Sequence, residues 1–580
     1  MRRSGGCECT LSYETDFLYK CQYDKFIACT AQPRILPLCT NTIMKYIFQT
    51  SPHLARSETT TGRRAFCTLL GHIGVALSCA ILSTAPHAGP PAWDKVPMTQ
   101  RSQTPDLVLT GVVTDADAKA TKHVPFWVPE GVVRLGLELD YTGRDQGTVI
   151  DTGLFDPNGF RGWSGSKKHA VVLSATDATP SYLPAPIRSG HWSLNLGISA
   201  IRPHNQSRYT VKIYFWRHGD TPLVSTFSPE PLRTGPAWYR GDFHMHDAHS
   251  DGFCESRRGQ PVPCPLYRTV EAAAARKLDF IAVTDHNTTS HFNVMHELQP
   301  FNDQLLLIPG REITTPAGHA NVFGTTEFID YRLDGESART VNDVFHDAAS
   351  LHGLITVNHP MRVTSEECRG CGWTAENVDY RPVTAIEVVN SNDEFAEHPR
   401  DARAGVGLSF WQSLLDHGLR LTAIGGSDTH DVDVGVMGVG VPTTVVYAAE
   451  LSERAILEGV RAGHVFIDVA GSSDRILIAE ANAGEHTAQM GDLLLAPAGT
   501  AVRVTAHVHG CRAARVIVLE QGQREPIADA ALATDDATQK FQLPNDGARH
   551  WLRVEVRGVD GKPLLIGNPF YLNQDATPAK

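Results

Sequence analysis

Thiols are scarce over most of this chain: of 12 cysteines in 580 residues, only Cys254, Cys264, Cys368, Cys371 and Cys511 lie beyond residue 90. The one CxxC among them, "CRGC", has no second CxxC to pair with, so a four-thiolate zinc site is not expected. Basic charge is also short, with 52 Lys and Arg against 64 Asp and Glu and a formal net charge of -12. Duplex nucleic acid selects an excess of cations on the domain that binds it, and is therefore not an expected partner. Long apolar runs are missing too. The most apolar early stretch is interrupted by His72 and Gly74, so no stable membrane span is expected in the mature protein. No Ser or Cys stands in a persuasive nucleophile setting, and no tandem repeat or long low-complexity tract occurs. What remains is an ordinary globular composition, 42% hydrophobic and 20% charged, long enough for roughly three or four domains.

The other seven cysteines precede residue 90. There the stretch "TGRRAFCTLLGHIGVALSCAILSTAPHAGPP" joins Arg63 and Arg64 to a moderately apolar core and a small-residue exit near Ala88. This is the layout of a secretory signal with a twin-arginine-like start. Residues 63–88 are thus expected to be a signal peptide, and 1–62 an atypical extension in which Met44 or a nearby codon is a candidate true start. A lipid anchor at Cys79 fits less well, because Ala76 sits where a larger aliphatic residue is usual. Export to the periplasm or beyond would let Cys254 with Cys264 and Cys368 with Cys371 oxidise, although spacing alone does not establish the pairing.

Three segments follow. Residues 105–230 hold short alternating runs such as "VVRLGLELDY" and "RYTVKIYFWR", separated by "DPNG" and "SGSKK" turns, which predicts an antiparallel β-sandwich. From 238 to 470, apolar runs such as "FIAVTDH", "LITVNHP" and "LTAIGGSDTH" alternate with helical stretches such as "ARTVNDVFHDAASLHG". That alternation predicts an α/β barrel-like domain with parallel strands and a site at their C-terminal ends. Residues 472–575 return to a β pattern, read as a small C-terminal β domain.

The chemistry concentrates at the strand ends of the middle segment. In "GDFHMHDAHSDG", His244 and His246 are two apart, so both imidazoles point to one face of a strand, and Asp251 follows. Asp285 and His286 stand in "TDHN", Glu312 and His319 in "REITTPAGHANVFG", His359 in "VNHP", and Asp428 and His430 in "GGSDTH". A single His after a strand usually serves as a hydrogen-bonded structural residue. Recurrence on one rim at successive strand ends is what singles these out. The donors are imidazole and carboxylate without thiolate, which suits Zn, Mn or Fe.

In order and type, HxH with a following Asp, then DH, Glu and His, NHP and DxH across about 240–432 resemble the polymerase and histidinol phosphatase (PHP) superfamily of metallohydrolases. The β segment before them, with "FDPNGFRGWSGSKKH", further resembles the subgroup of the carbaryl hydrolases CehA and McbA. The resemblance implies a distorted (β/α)7 barrel flanked by the two β domains. It also implies two or three divalent ions. His244, His246, Glu312 and Asp428 would hold one, with Glu312 bridging to a second on His319 and His359, and Asp251, His286 and His430 would hold the third. Two cations bridged by a carboxylate stand about 3.5–4 Å apart and can ionise a shared water, the expected nucleophile.

Substrate contacts are less legible. Arg362, three residues past His359, offers a bidentate fork for phosphate or carboxylate, and His249 is a candidate acid beside the leaving group. Arg257, Arg258 and Arg311 are lesser candidates, Phe253 and Trp373 candidate walls of an apolar mouth, and Asp285 a candidate for orienting a neighbouring ligand. The leading expectation is a phosphoesterase acting on small phosphate esters or nucleotides. Hydrolysis of a carbamate or carboxylic ester is the alternative, and an exported binding module with structural metals is a third possibility of another class.

Overall fold

A computed structural model describes residues 104–574, apart from 221–225, 334–337, 363–369, 391–405, 434–437 and 524. The expected extension, the signal peptide and Cys368 lie outside the described residues. Among the described residues no helix is long and apolar enough to cross a membrane.

Two four-stranded antiparallel sheets come first. One orders Leu107–Thr114, Gln206–Arg217, Val132–Tyr141 and Ala170–Ser174; the other orders Thr121–Val128, Gly190–Ala200, Val149–Asp156 and Gly159–Ser164. Alternation explains why they stack. Leu135, Leu137 and Leu139 on one sheet and Trp192, Leu194 and Leu196 on the other are two apart and buried in one shared core, each Leu contributing about 1.5–3 kcal/mol.

The opposite face of the first sheet buries Ala170, Val172, Tyr214 and Trp216 and sits beside the middle segment. There Asp177, fully buried, meets Arg134 Nη2 at 2.8 Å and His296 Nε2 at 2.6 Å. Arg134 also donates to Thr326 Oγ1 at 2.7 Å, and the Ala178 N–H donates to Asn293 Oδ1 at 3.1 Å.

In the middle segment six strands share one direction: Arg233–Asp242, Phe280–Val283, Leu306–Thr315, Leu354–Val357, Ala385–Asn390 and Thr422–Gly426. Several are buried along their whole length, as parallel strands covered on both faces are. The mixed α/β class is present. The expected sevenfold strand–helix alternation is not what the pairing shows, because Gly318–Phe323 enters antiparallel between Leu306–Thr315 and Leu354–Val357. A hairpin at 315–318 joins the first two of these strands directly, so no helix lies between them. On the other side, Thr443–Leu451 pairs antiparallel with Arg233–Asp242 and leads through Val465–Asp468 to Pro563–Gly567.

The last segment is therefore continuous with the middle one. Its strands Arg515–Glu520, His550–Arg557 and Pro563–Gly567 extend the same sheet, and a separate four-stranded sheet packs on them around Leu477, Val504, Val516 and Val554.

Candidate metal centre

The rim begins where the first parallel strand ends. Asp242 accepts backbone N–H bonds from His244 at 3.1 Å, Ser427 at 3.0 Å and Gly440 at 2.7 Å. Just beyond, His246 N–H donates to Thr429 O at 2.9 Å and Asp428 N–H to His244 O at 2.8 Å. These bonds join the HxH segment to the DxH segment, nearly two hundred positions later in the chain, and bring both ligand pairs to one place. Gly426 permits the approach: a Cβ there would lie 2.4 Å from both the His244 Cβ and the Glu387 Oε1.

Glu312 is the hub. Its carboxylate lies 2.8 Å from His286 Nδ1, 3.2 Å from His319 Nδ1, 3.3 Å from His244 Nε2, 3.4 Å from His359 Nε2 and 3.6 Å from His246 Nε2. Asp428 Oδ1 stands 3.0 Å from His246 Nε2 and 3.3 Å from His244 Nε2. Asp251 Oδ1 is 3.5 Å from His430 Nε2 and 3.7 Å from His286 Nε2. All nine expected ligands are thus drawn into one cluster. They form four overlapping sets with donor atoms within 4.8 Å of one another: His244, His246 and Asp428; His244, Glu312 and His359; His286, Glu312 and His319; His246, Asp251, His286 and His430.

The donor set fits divalent cations on its own geometry. Two ligands about 2.0–2.1 Å from one tetrahedral zinc stand about 3.3 Å apart, and His244 Nε2 sits at that spacing from both Glu312 and Asp428. Yet His244 Nε2 and His319 Nε2 are buried without a hydrogen-bond partner, a costly state for polar atoms unless a cation satisfies them. The inner donors are sealed, with His244, His246 and Glu312 fully buried, whereas the Asp251 side chain is 57% exposed. The centre therefore has a dry floor and an open lip. Two of the expected ligands hold positive φ without being glycine, His359 at 25° and Asp428 at 50°, a conformation that clusters at functional sites.

Charge in the cluster is shared among imidazoles and carboxylates. Burial pushes the His244 pKa down, but Glu387, Asp428 and Glu312 outweigh it and raise it well above the usual value. Burial likewise opposes charge on His286, but Glu312 raises it to about 9. Burial, with His430 and His286 nearby, lowers His246 to about 4. Glu312 is held well below the carboxylate range, because His244, His319 and His286 outweigh its burial. A cation must displace the protons on His244 and His286, so Zn binding at pH 7 is expected to release protons and to strengthen as pH rises. Calorimetry in buffers of different ionisation enthalpy measures that release directly.

A disulfide braces the lip. Cys254 and Cys264 are bonded across the hairpin formed by Phe253–Glu255 and Pro261–Pro263, and Phe253 N–H donates to His430 O at 2.6 Å. Asp251 stands at the foot of this hairpin. Cys254→Ser with Cys264→Ser is expected to cost up to about 2–4 kcal/mol and to weaken the outer set containing Asp251 while sparing the inner sets, as read by metal titration. Cys371 is also disulfide-bonded, and its carbonyl lies 2.9 Å from His359 Nδ1.

Other expected positions fall differently. Arg362 Nη1 bonds Asp428 Oδ2 at 2.8 Å, which places its guanidinium at the centre. His249 is not in the donor cluster; its Nδ1 lies 2.7 Å from Ser290 Oγ. Arg311 is no rim residue. It alternates with Glu312 along the strand and points the other way, buried, with its guanidinium on Glu327 O at 2.8 Å. Trp373 is a buttress and not a mouth wall: it stacks on Phe345 at 6.0 Å, bonds Tyr380 Oη at 2.8 Å and lies against Gly318. Phe253 is 43% exposed at the lip. Asp285 accepts bonds from Ser250 Oγ at 2.5 Å and Asp247 N–H at 3.0 Å.

Two residues that sequence reasoning missed touch the ligands. Asn358 Nδ2 donates to Glu312 Oε1 at 2.9 Å, and Glu387 Oε1 lies 2.9 Å from His244 Nδ1. The available signal for Glu387 was a carboxylate inside the apolar run "AIEVVN".

No family model matches the chain, and no curated relative does. Two of the solved structures similar to it are the following. One is a two-domain protein from Bacteroides vulgatus containing a predicted PHP-like metal-dependent phosphoesterase, at 18% identity and TM-score 0.33, covering 58% of this chain and 95% of that one. The other, from Bifidobacterium adolescentis, is provisionally assigned as a metal-dependent phosphoesterase, at 14% identity and TM-score 0.22, covering 38% of this chain and 94% of that one. At such distances the chemistry of this chain rests on its own side chains.

Proposed function

We propose that this protein is a PHP-type, metal-dependent hydrolase of ester bonds whose substrates are small phosphate esters. The observation that supports this is Glu312, one buried carboxylate shared by His244, His359, His286 and His319, the arrangement expected of a bridge between two cations. Bound there, a pair of divalent ions would supply a water of lowered pKa as nucleophile and stabilise the charge of the transition state.

The chain's own residues do the rest. The buried inner donors keep water out and hold the electrostatics in a low-dielectric setting, where each interaction is worth more. Arg362, anchored on Asp428, places a cation beside the centre that suits phosphate oxygens. An exported location is supported by the Arg63–Arg64 stretch and by the Cys254–Cys264 disulfide. A second reading, hydrolysis of carbamate or carboxylic esters of aryl alcohols, is favoured by Met361 and Phe253, apolar side chains left 44% and 43% exposed next to ligand-bearing segments.

The test is turnover by protein loaded with Mn or Zn on matched phosphate monoesters, phosphate diesters, aryl carboxylates and aryl carbamates. Hydrolysis of phosphates only, abolished by chelation, is the expected result. Hydrolysis of carbamates only would replace it with the second reading. Tight metal retention with no turnover on any of them would overturn both and favour a binding module.

A further inference from the structure

We infer that Glu387 is a positioning residue for two metal ligands at once, an inference that rests on the metal-centre reading above. Glu387 lies in the strand Ala385–Asn390 and is 2% exposed. Its Oε1 is 2.9 Å from His244 Nδ1, while its Oε2 accepts the His359 backbone N–H at 2.9 Å and the Asn390 Nδ2 amide at 3.1 Å. One carboxylate thereby grips ligands delivered by two different strands.

Each grip has a chemical consequence. A neutral imidazole carries its proton on one nitrogen only. A carboxylate on the Nδ1 side keeps the proton there and leaves the Nε2 lone pair facing Glu312 and Asp428, each 3.3 Å away. The bond to the His359 N–H acts on the backbone instead: His359 sits at φ 25°, a sparsely allowed conformation that persists only where its surroundings hold it. Fold stability alone gives no reason for this carboxylate. An ionised group inside an otherwise buried strand is expensive to desolvate, and an aliphatic side chain would serve the sheet better.

Gly426 supplies an independent handle, because its hydrogen occupies the space against the Glu387–His244 contact. A Cβ there would sit 2.4 Å from Glu387 Oε1 and from His244 Cβ, wedging the pair apart with both residues intact.

The experiment compares the wild type with Glu387→Gln and Gly426→Ala, measuring Zn stoichiometry and affinity against a chromophoric chelator and, at a pH where the imidazole is neutral, the His244 tautomer by 15N NMR. Thermal melts of the metal-free proteins establish that the variants fold. Glu387→Gln is expected to weaken Zn binding about 10–100-fold and to remove the Nδ1–H preference of His244, and Gly426→Ala to weaken binding in the same direction. Should Glu387→Gln not fold, Gly426→Ala decides. Wild-type affinity and tautomer in the folded variants would overturn the positioning role while leaving the metal reading intact. A wild-type protein that takes up no metal would overturn both.

Discussion

Glu312→Gln is expected to lower kcat/KM by more than about 10³-fold, over 4 kcal/mol of transition-state stabilisation, together with a loss of bound metal. Gln matches Glu in shape, so the loss would report charge and not volume. The size of the effect follows from position: the carboxylate lies within 3.6 Å of five imidazoles and belongs to two of the ligand sets. Replacing it removes the anion that holds the inner cluster together. By contrast, a residue touching only one ligand, such as Asn358, should cost roughly 10–100-fold. Parallel measurement of turnover and metal content decides the matter. Full activity with full metal occupancy in Glu312→Gln would exclude Glu312 as the bridge.

Asp177→Ala is expected to be the most damaging change outside the metal centre, at about 3–5 kcal/mol, because removing one partner of a buried ion pair strands the other. Burial alone would raise the Asp177 pKa, but Arg134, His296 and Ser174 outweigh it and hold the carboxyl far below its ordinary range. A depressed folded-state pKa means that the stabilisation is present above the unfolded value near 3.8 and is lost as pH falls through the folded one. Acid below about pH 4 should therefore weaken the attachment of the sandwich through Arg134, Asp177 and Thr326, whereas neutral conditions leave it intact. Calorimetry checks this: Asp177→Ala should show an early transition from the sandwich at neutral pH, and the wild type should approach that behaviour only in strong acid. A single unshifted transition in the variant would remove the network from the account of stability.

The candidate metal donors were legible because local backbone geometry orders them. His244 and His246 face one way since strand side chains alternate, and Asp285–His286 and Asp428–His430 directly follow apolar runs that read as strands. The same alternation separates Arg311 from Glu312, yet which of the two faces the centre depends on which side of the strand meets the other strands. Strand direction is equally silent in a local pattern. Gly318–Phe323 is buried at every position like its parallel neighbours, and nothing in six residues records that it runs against them. The joining of the C-terminal strands to the central sheet through Val465–Asp468 and Pro563–Gly567 is a long-range pairing of the same kind.

By itself, then, the sequence determined the supply: imidazoles and carboxylates in five short motifs along the middle segment, with no thiolate among them and no excess of Lys and Arg for nucleic acid. Only the tertiary structure decided the sharing, namely that Glu312 sits among five histidines, that Glu387 reaches His244 and His359 from an apolar strand, and that Asp177 ties the sandwich to the middle segment. The physical reason is range. Side-chain direction along one strand is fixed by bonds between neighbours, whereas a ligand cage and a buried ion pair are fixed by sheet register and packing between residues far apart in the chain.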